Sequence, residues 1–215
     1  QAEARIMAVK SLMQRAEVDE TAYRLLAQLA EKYLYTPGSP MQNEEYFIPF
    51  LEEIVGTSLL DKTENSRSRF LLSAALKNRP GTMATDFTYL TPSGELQTLY
   101  TVPATYRLLL LFYDPDCLHC REIITALSTA SCLQQQIESG QLTVLAICVG
   151  EDRDLWNCSL KDLPTQWLTG FDMGCIRQEE RYLLPDMPMM YLLDGEKRVV
   201  KKEVSLHQLL LKFQE

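Results

Sequence analysis

Arg107-Leu-Leu-Leu-Leu-Phe-Tyr-Asp-Pro-Asp-Cys-Leu-His-Cys-Arg-Glu-Ile-Ile-Thr-Ala-Leu127 reads as a strand, a turn and a helix in succession. Residues 107–113 are a continuous apolar run, the pattern of a buried strand. From Arg121 onward the apolar residues are spaced for one face of a helix. Between the two lies the dithiol Cys117-Leu-His-Cys120. At a helix N-terminus the unsatisfied N–H groups and the helix dipole stabilise a thiolate at the first cysteine, and only the thiolate attacks a disulfide. The chemical rival for this spacing is zinc, which needs four ligands. Cys132, Cys148, Cys158 and Cys175 form no second C-x-x-C, and His207 is the one histidine outside the motif. An inert thiol pair is the bland alternative. The strand–turn–helix context favours the redox reading, with no metal expected.

The second half supplies matching parts. Leu142-Thr-Val-Leu-Ala-Ile-Cys-Val149 is another buried-type strand, bounded by Gly140 and Gly150. The segment between the strands is long enough for the helical crossover of a right-handed βαβ unit. Met187-Pro-Met-Met-Tyr-Leu-Leu-Asp194 opens a further strand on a proline and ends in the turn Asp194-Gly195. Residues 197–202 pair with it as a hairpin, and Ser205 caps a closing helix with Leu206, Leu209, Leu210 and Phe213. A parallel βαβ unit followed by ββα, with the dithiol after the opening strand, is the thioredoxin plan: an α/β fold with a central mixed sheet flanked by helices.

On these residues the stretch 81–215 resembles the bacterial thioredoxin-like domains of the TlpA/ResA type. The entry segment Gly81-Thr-Met-Ala-Thr-Asp-Phe87 and the turn-bearing Thr88-Tyr-Leu-Thr-Pro-Ser-Gly94 are similar to theirs, as supporting context. The dithiol and the Met187-Pro188 step are the specific matches. The resemblance implies that Cys117 attacks and Cys120 resolves. It implies that Pro188 is the cis-proline beside the dithiol, and that the backbone of Met187 pairs with a bound substrate strand. X–Pro is the one bond type in which a cis peptide costs little; a trans-proline opening a strand is the plain alternative. The implied partners are protein disulfides or dithiols and a redox-recycling protein. The implied location is the periplasm or cell envelope, and no cofactor (metal, flavin or nucleotide) is called for.

The chain also departs from that pattern. Asp116 replaces the usual tryptophan before the first cysteine, and Leu111 stands where thioredoxin buries an acid. His119 replaces the frequent proline before the second cysteine, while Ile123 stands where a glutamate is common and Glu122 comes one place early. A histidine between the cysteines stabilises the Cys117 thiolate, which makes the disulfide more oxidising. Asp114 and Asp116 oppose this, because like charge disfavours the thiolate. Helix terminus and histidine are expected to prevail, with a Cys117 pKa below the free-thiol value of about 8.5. Cys148 reads as a buried small hydrophobe and Cys132 as part of the crossover; Cys158 and Cys175 are left as possible partners.

Residues 1–80 read as a small α-helical N-terminal domain or a helical extension. One helix covers Ala2–Ala16, with Ile6, Val9 and Met13 on one side. Asp19 caps a second, in which Tyr23, Leu26, Ala30 and Tyr33 share a face, ended by Thr36-Pro-Gly-Ser-Pro40. Asn43 caps a third, Glu44–Val55, which Pro49 should bend or divide. A fourth runs from Ser66 to Lys77. The stretch Tyr33–Tyr46 resembles the end of an uncharacterised helical domain that precedes the thioredoxin-like domain in some bacterial envelope proteins. That likeness carries no activity; a packing scaffold is favoured over a docking module.

Composition agrees with folded units: 215 residues, 46% hydrophobic and 23% charged. Residues 81–215 hold 11 Lys and Arg against 18 Asp and Glu, and the whole chain has a formal charge of −8. With no basic surplus to neutralise phosphates, nucleic-acid binding is disfavoured. No apolar run reaches transmembrane length. The chain opens on Gln1, read as a processed or trimmed product. The expectation is therefore a thiol–disulfide oxidoreductase using Cys117 and Cys120, tuned by His119 and Asp116, with Met187 and Pro188 against substrate. A peroxide-reducing relative and a redox-inactive binding module with the same fold are the alternatives.

Overall fold

Strand β3, Arg107–Tyr113, runs through the middle of a seven-stranded sheet. The computed structural model describes residues 2–36, 39–103, 106–184 and 186–213. The chain divides into two units, Gln1–Lys77 and Asn78–Glu215.

In the second unit the chain first forms a hairpin, β1 Thr88–Leu90 and β2 Leu96–Thr98. Then follow β3, the helices α5 Leu118–Thr129 and α6 Ser131–Glu138, β4 Leu142–Cys148 and α7 Arg153–Ser159. The chain closes with β5 Leu168–Asp172, β6 Met189–Asp194, β7 Val199–Lys201 and α8 Leu206–Lys212. The sheet order is β2-β1-β5-β4-β3-β6-β7. β3 pairs with β4 in parallel and with β6 antiparallel, in unbroken register. Both of its faces are covered, which is why its sequence is continuously apolar instead of alternating.

Successive side chains of β3 divide between two cores. Leu109, Leu111 and Tyr113 face the helices, packing in one cluster with Cys120, Ile124, Leu127, Leu133, Trp156 and Leu209. Leu108, Leu110 and Phe112 face the other way, where irregular chain supplies Phe87, Leu99, Val102, Ile176 and Tyr182. Aromatic rings hold this second face. Tyr182 lies 4.9 Å from Phe112 and meets Phe87 edge-on at 5.6 Å, and its hydroxyl donates to the Thr85 carbonyl at 2.7 Å.

β5 was not foreseen. Its sequence, Leu-Thr-Gly-Phe-Asp, carries a glycine in the middle, which reads as a strand breaker. The reason for Gly170 is close approach: a Cβ there would run into the Tyr89 ring of β1 and reach Ile147 Cδ1 at 2.9 Å. β5 pairs in parallel with β4 and antiparallel with β1, so it joins the N-terminal hairpin to the central strands.

The first unit is four helices: α1 Ala2–Ala16, α2 Glu20–Ala30, α3 Glu44–Gly56 and α4 Lys62–Leu76. Asp19 and Asn43 cap α2 and α3 as expected, each side chain accepting backbone N–H groups of the first turn. Three details differ from the sequence reading. α4 begins four residues before Ser66, because Asp61 and Glu64 form a reciprocal capping box. α3 continues through the buried Pro49, its sixth residue, without a break; the fixed φ of proline is helical, and the missing N–H costs the helix one bond. Ile6 and Tyr33 are exposed, and Tyr33 lies in a π-helical segment, Glu31–Tyr35, whose wider turn moves it off the face of Tyr23 and Ala30. Of the breaker Thr36–Pro40, Pro37 and Gly38 lie outside the described residues. Two clusters fill this unit, one around Phe47, Leu51 and Leu71 and one around Met13, Tyr23 and Ile54. Arg67 clasps Glu31 with both guanidinium nitrogens, and Arg24 meets Glu64 at 2.6 Å.

Candidate active site

The turn after β3 is built by Asp114. Its carbonyl accepts the Cys117 N–H at 3.1 Å, and its carboxylate accepts the Asp116 N–H at 3.0 Å. This places Cys117 as the N-cap of α5, with extended backbone at φ −78 and ψ 116. The cap acceptor, ordinarily an oxygen, is here the thiol sulfur: the Cys120 N–H donates to Cys117 Sγ at 3.2 Å. An orphan N–H of the first turn is thus satisfied by the sulfur.

Cys120, three residues on, points inward. It is fully buried among Leu111, Ile124 and Met190 in the helix-side core. Burial pushes its thiol up to about 12, partly offset by the backbone N–H of Asp114, while the neighbouring Cys117 sulfur raises it further. One sulfur is therefore half-exposed and capped, the other dry and protonated at neutral pH.

The third part comes from β6. Its pairing with β3 sets Met189 opposite Phe112, so the residues just before it, Met187 and Pro188, lie beside the turn that carries Cys117. The Met187–Pro188 bond is cis. The Met187 carbonyl accepts from Cys117 Sγ at 3.7 Å. Cys117, Cys120, Met187 and Pro188, singled out from sequence, are thus brought together.

His119 and Asp116 neighbour Cys117 in the chain. Both are exposed, and His119 Nδ1 lies 3.3 Å from Glu122 Oε2. The sequence reading set His119 against the Cys117 sulfur and did not foresee the carboxylate one turn along. It also treated Asp114 only as a repulsive charge, whereas its backbone and carboxylate shape the turn. Arg121 adds to that frame by donating to the Pro115 carbonyl at 3.3 Å. Among the described residues of this unit the buried carboxylate is Asp172, at the end of β5. It accepts the Ile176 N–H at 3.3 Å, and burial raises its pKa. Cys148 is buried in β4, as expected, and its thiol is pushed up to about 11 by burial. All six cysteines are free thiols; Cys158 is exposed on α7, and Cys175 packs against the opposite face of the sheet.

The whole chain aligns with the crystal structure of a thioredoxin-like protein from Bacteroides caccae. The two are 35% identical with a TM-score of 0.87, over 100% of this chain and 77% of the other. This chain belongs to the thioredoxin-like proteins. A second structure similar to this thioredoxin-like protein is the C-terminal domain of an uncharacterized protein from Bacteroides fragilis, 34% identical with a TM-score of 0.62. That match covers 64% of this chain and 99% of the other. A thiol:disulfide interchange protein from a Bacteroides species is 19% identical with a TM-score of 0.54, over 63% of this chain and 88% of its own, and shares the fold. Residues 1–78 of this thioredoxin-like protein match a family described as a domain of unknown function, DUF5106. No match is found among curated proteins. Among the described residues no helix is long and apolar enough to cross a membrane.

Proposed function

We propose that this protein is a thiol–disulfide oxidoreductase that exchanges disulfides with protein substrates through Cys117 and Cys120. The observation that carries the reading is the contrast between the two sulfurs. Cys117 Sγ is half-exposed, receives the Cys120 N–H and faces the Met187 carbonyl, while Cys120 is buried one helical turn inward.

In the reductive direction the Cys117 thiolate attacks one sulfur of a substrate disulfide. The substrate S–S bond breaks, a mixed disulfide forms at Cys117, and the leaving substrate thiolate takes up a proton. Cys120 loses its proton and attacks Cys117 Sγ. The second substrate thiol departs and a Cys117–Cys120 disulfide remains, for a recycling dithiol partner to reduce. Oxidation of a substrate dithiol is the same sequence reversed. The backbone of Met187, beside Pro188, holds the substrate strand across the sulfur; His119 and Asp116 set the charge around it. The chemistry is assigned to residues 81–215, with residues 1–80 as a helical domain of its own. The fold likeness to the interchange protein supports this assignment, and the placement in the periplasm or cell envelope follows from the resemblance to the TlpA/ResA type.

The test is trapping. Cys120→Ser should accumulate mixed disulfides with substrate proteins that dissolve on reduction. Cys117→Ser should accumulate none and lose exchange activity. No exchange by the unmutated protein would overturn the proposal in favour of a redox-inactive binding module, and exchange that survives Cys117→Ser would move the chemistry to another thiol.

A further inference from the structure

The second half of an exchange at Cys117 needs somewhere for the Cys120 proton to go, and the inner sulfur is out of reach of water. Asp114, in the turn after β3, meets that sulfur in two ways. Burial holds the Cys120 thiol at about 12; against it the Asp114 backbone N–H steadies the thiolate, while the charge on the Asp114 carboxylate opposes it. The opposition lasts only while the carboxylate is charged. A proton moved from Cys120 to that carboxylate removes the repelling charge in the same step that makes the thiolate, and the N–H stays to steady it.

The side chain is held in place for this. Its carboxylate accepts the Asp116 N–H at 3.0 Å, and its carbonyl accepts the Cys117 N–H at 3.1 Å. Glycine at 150 leaves it room, since a methyl there would meet Asp114 Oδ1 at 3.3 Å, closer than an ordinary contact. Asp114 is half-buried and lines two clefts, of about 550 and 320 Å³, so it stands between the dry core and solvent. The charged groups that face it are of both signs. Arg121, Lys161 and Asp162 share the larger cleft, and Asp116, Glu151, Asp152 and Arg177 the smaller.

We propose that the Asp114 carboxylate is the proton acceptor for Cys120 when the mixed disulfide is resolved. The inference rests on the exchange reading above and names the residue that moves the proton within it. The Cys120 S–H bond breaks and its proton passes to a carboxylate oxygen of Asp114. The Cys120 thiolate attacks Cys117 Sγ, the Cys117–Cys120 S–S bond forms, and the bond from Cys117 to the substrate sulfur breaks. The departing thiolate takes up the proton that Asp114 returns, so the carboxylate ends as it began.

The test separates the two steps. The full chain is mixed with one equivalent of dithiobis(nitrobenzoate) and quenched in acid. Peptide masses then report the Cys117 adduct, which is the first step, and the Cys117–Cys120 disulfide that replaces it, which is the second. Asp114→Asn keeps an acceptor for the Asp116 N–H; it should slow loss of the adduct at pH 7 by at least about tenfold, and slow its formation far less. In that variant the loss should climb about tenfold per pH unit, as for a thiol that must surrender its proton to hydroxide, and in the native chain less steeply. Gly150→Ala crowds the carboxylate without removing it and should slow the same step, which repeats the test if Asp114→Asn does not fold. Loss of adduct at the native rate and pH slope in these variants would overturn this inference and leave the exchange reading standing. Equal slowing of both steps with the native slope would also overturn it, leaving Asp114 as a shaper of the turn. A native chain that forms no adduct at Cys117 would overturn the exchange reading itself, and this inference with it.

Discussion

The backbone N–H of Cys120 points at the sulfur of Cys117, 3.2 Å away, while the Cys120 side chain is itself out of reach of water. One residue therefore serves the dithiol twice: its main chain steadies the attacking sulfur, and its thiol is the group that finishes the exchange. The second role requires deprotonation of a thiol that burial holds at about 12.

Stability of the reduced protein should fall in alkali. Cys120 moves from an ordinary value of 9.0 when unfolded to about 12 when folded, so between those values the unfolded chain binds fewer protons than the native one. Stability conferred by the protonated thiol is complete below pH 9 and is lost as pH rises towards 12. Cys148, raised from 9.0 to about 11, adds in the same direction. Urea midpoints at increasing pH should drop more steeply for the reduced protein than for the Cys117–Cys120 disulfide form. Parallel curves would contradict the burial of Cys120.

His119→Ala should make the disulfide less oxidising. Removing an imidazole able to carry positive charge near the thiolate destabilises the reduced form, and a shift of about 30 mV corresponds to about 1.4 kcal/mol. Equilibration in glutathione buffers measures it. A shift to more oxidising values would mean that the imidazole's partner Glu122, 3.3 Å away, governs the local charge instead.

Gly170→Ala should loosen the join between the hairpin and the central strands. The added methyl meets Tyr89 and Ile147, and overpacking of this kind costs about 1–3 kcal/mol. Denaturant unfolding reports the loss. Tyr89→Leu, which removes the ring, should recover part of it in the double variant.

In the helical unit, Asp61→Ala removes the acceptor for the Thr63 and Glu64 N–H groups, both at 2.8 Å. The expected cost is about 0.5–2 kcal/mol, typical of a lost N-cap. Glu64→Ala removes both the reciprocal bond to the Asp61 N–H and the pairing with Arg24, so it should cost at least as much. Thermal unfolding of the single variants compares the two.

The central strands and the dithiol were legible because each depends on a local pattern. Residues 107–113 are apolar without interruption, and cysteines at 117 and 120 fall where a helix must begin. β5 was not legible. Its glycine answers to the ring of Tyr89, some eighty residues earlier in the chain, and no window around Gly170 contains that ring. The start of α4 was missed although its signal was present, since Asp61-x-x-Glu64 is a capping box in sequence as well as in space. The pairing of His119 with Glu122 follows from helical spacing of three residues, but a sequence does not say which of two neighbours an imidazole will choose. The proximity of Met187 to Cys117 depends on register between β3 and β6, some eighty residues apart, and only the proline hinted at it.

Covering one side of the sheet with irregular chain instead of helices has a mechanical consequence for the dithiol. The strap that delivers Met187 to the sulfur is moored five residues earlier by Tyr182, whose ring is wedged between Phe87 and Phe112 and whose hydroxyl is tied to Thr85. An aromatic anchor on the face of the sheet away from the helices thus stands five residues ahead of Met187, so that a change at Tyr182 should be felt at the dithiol.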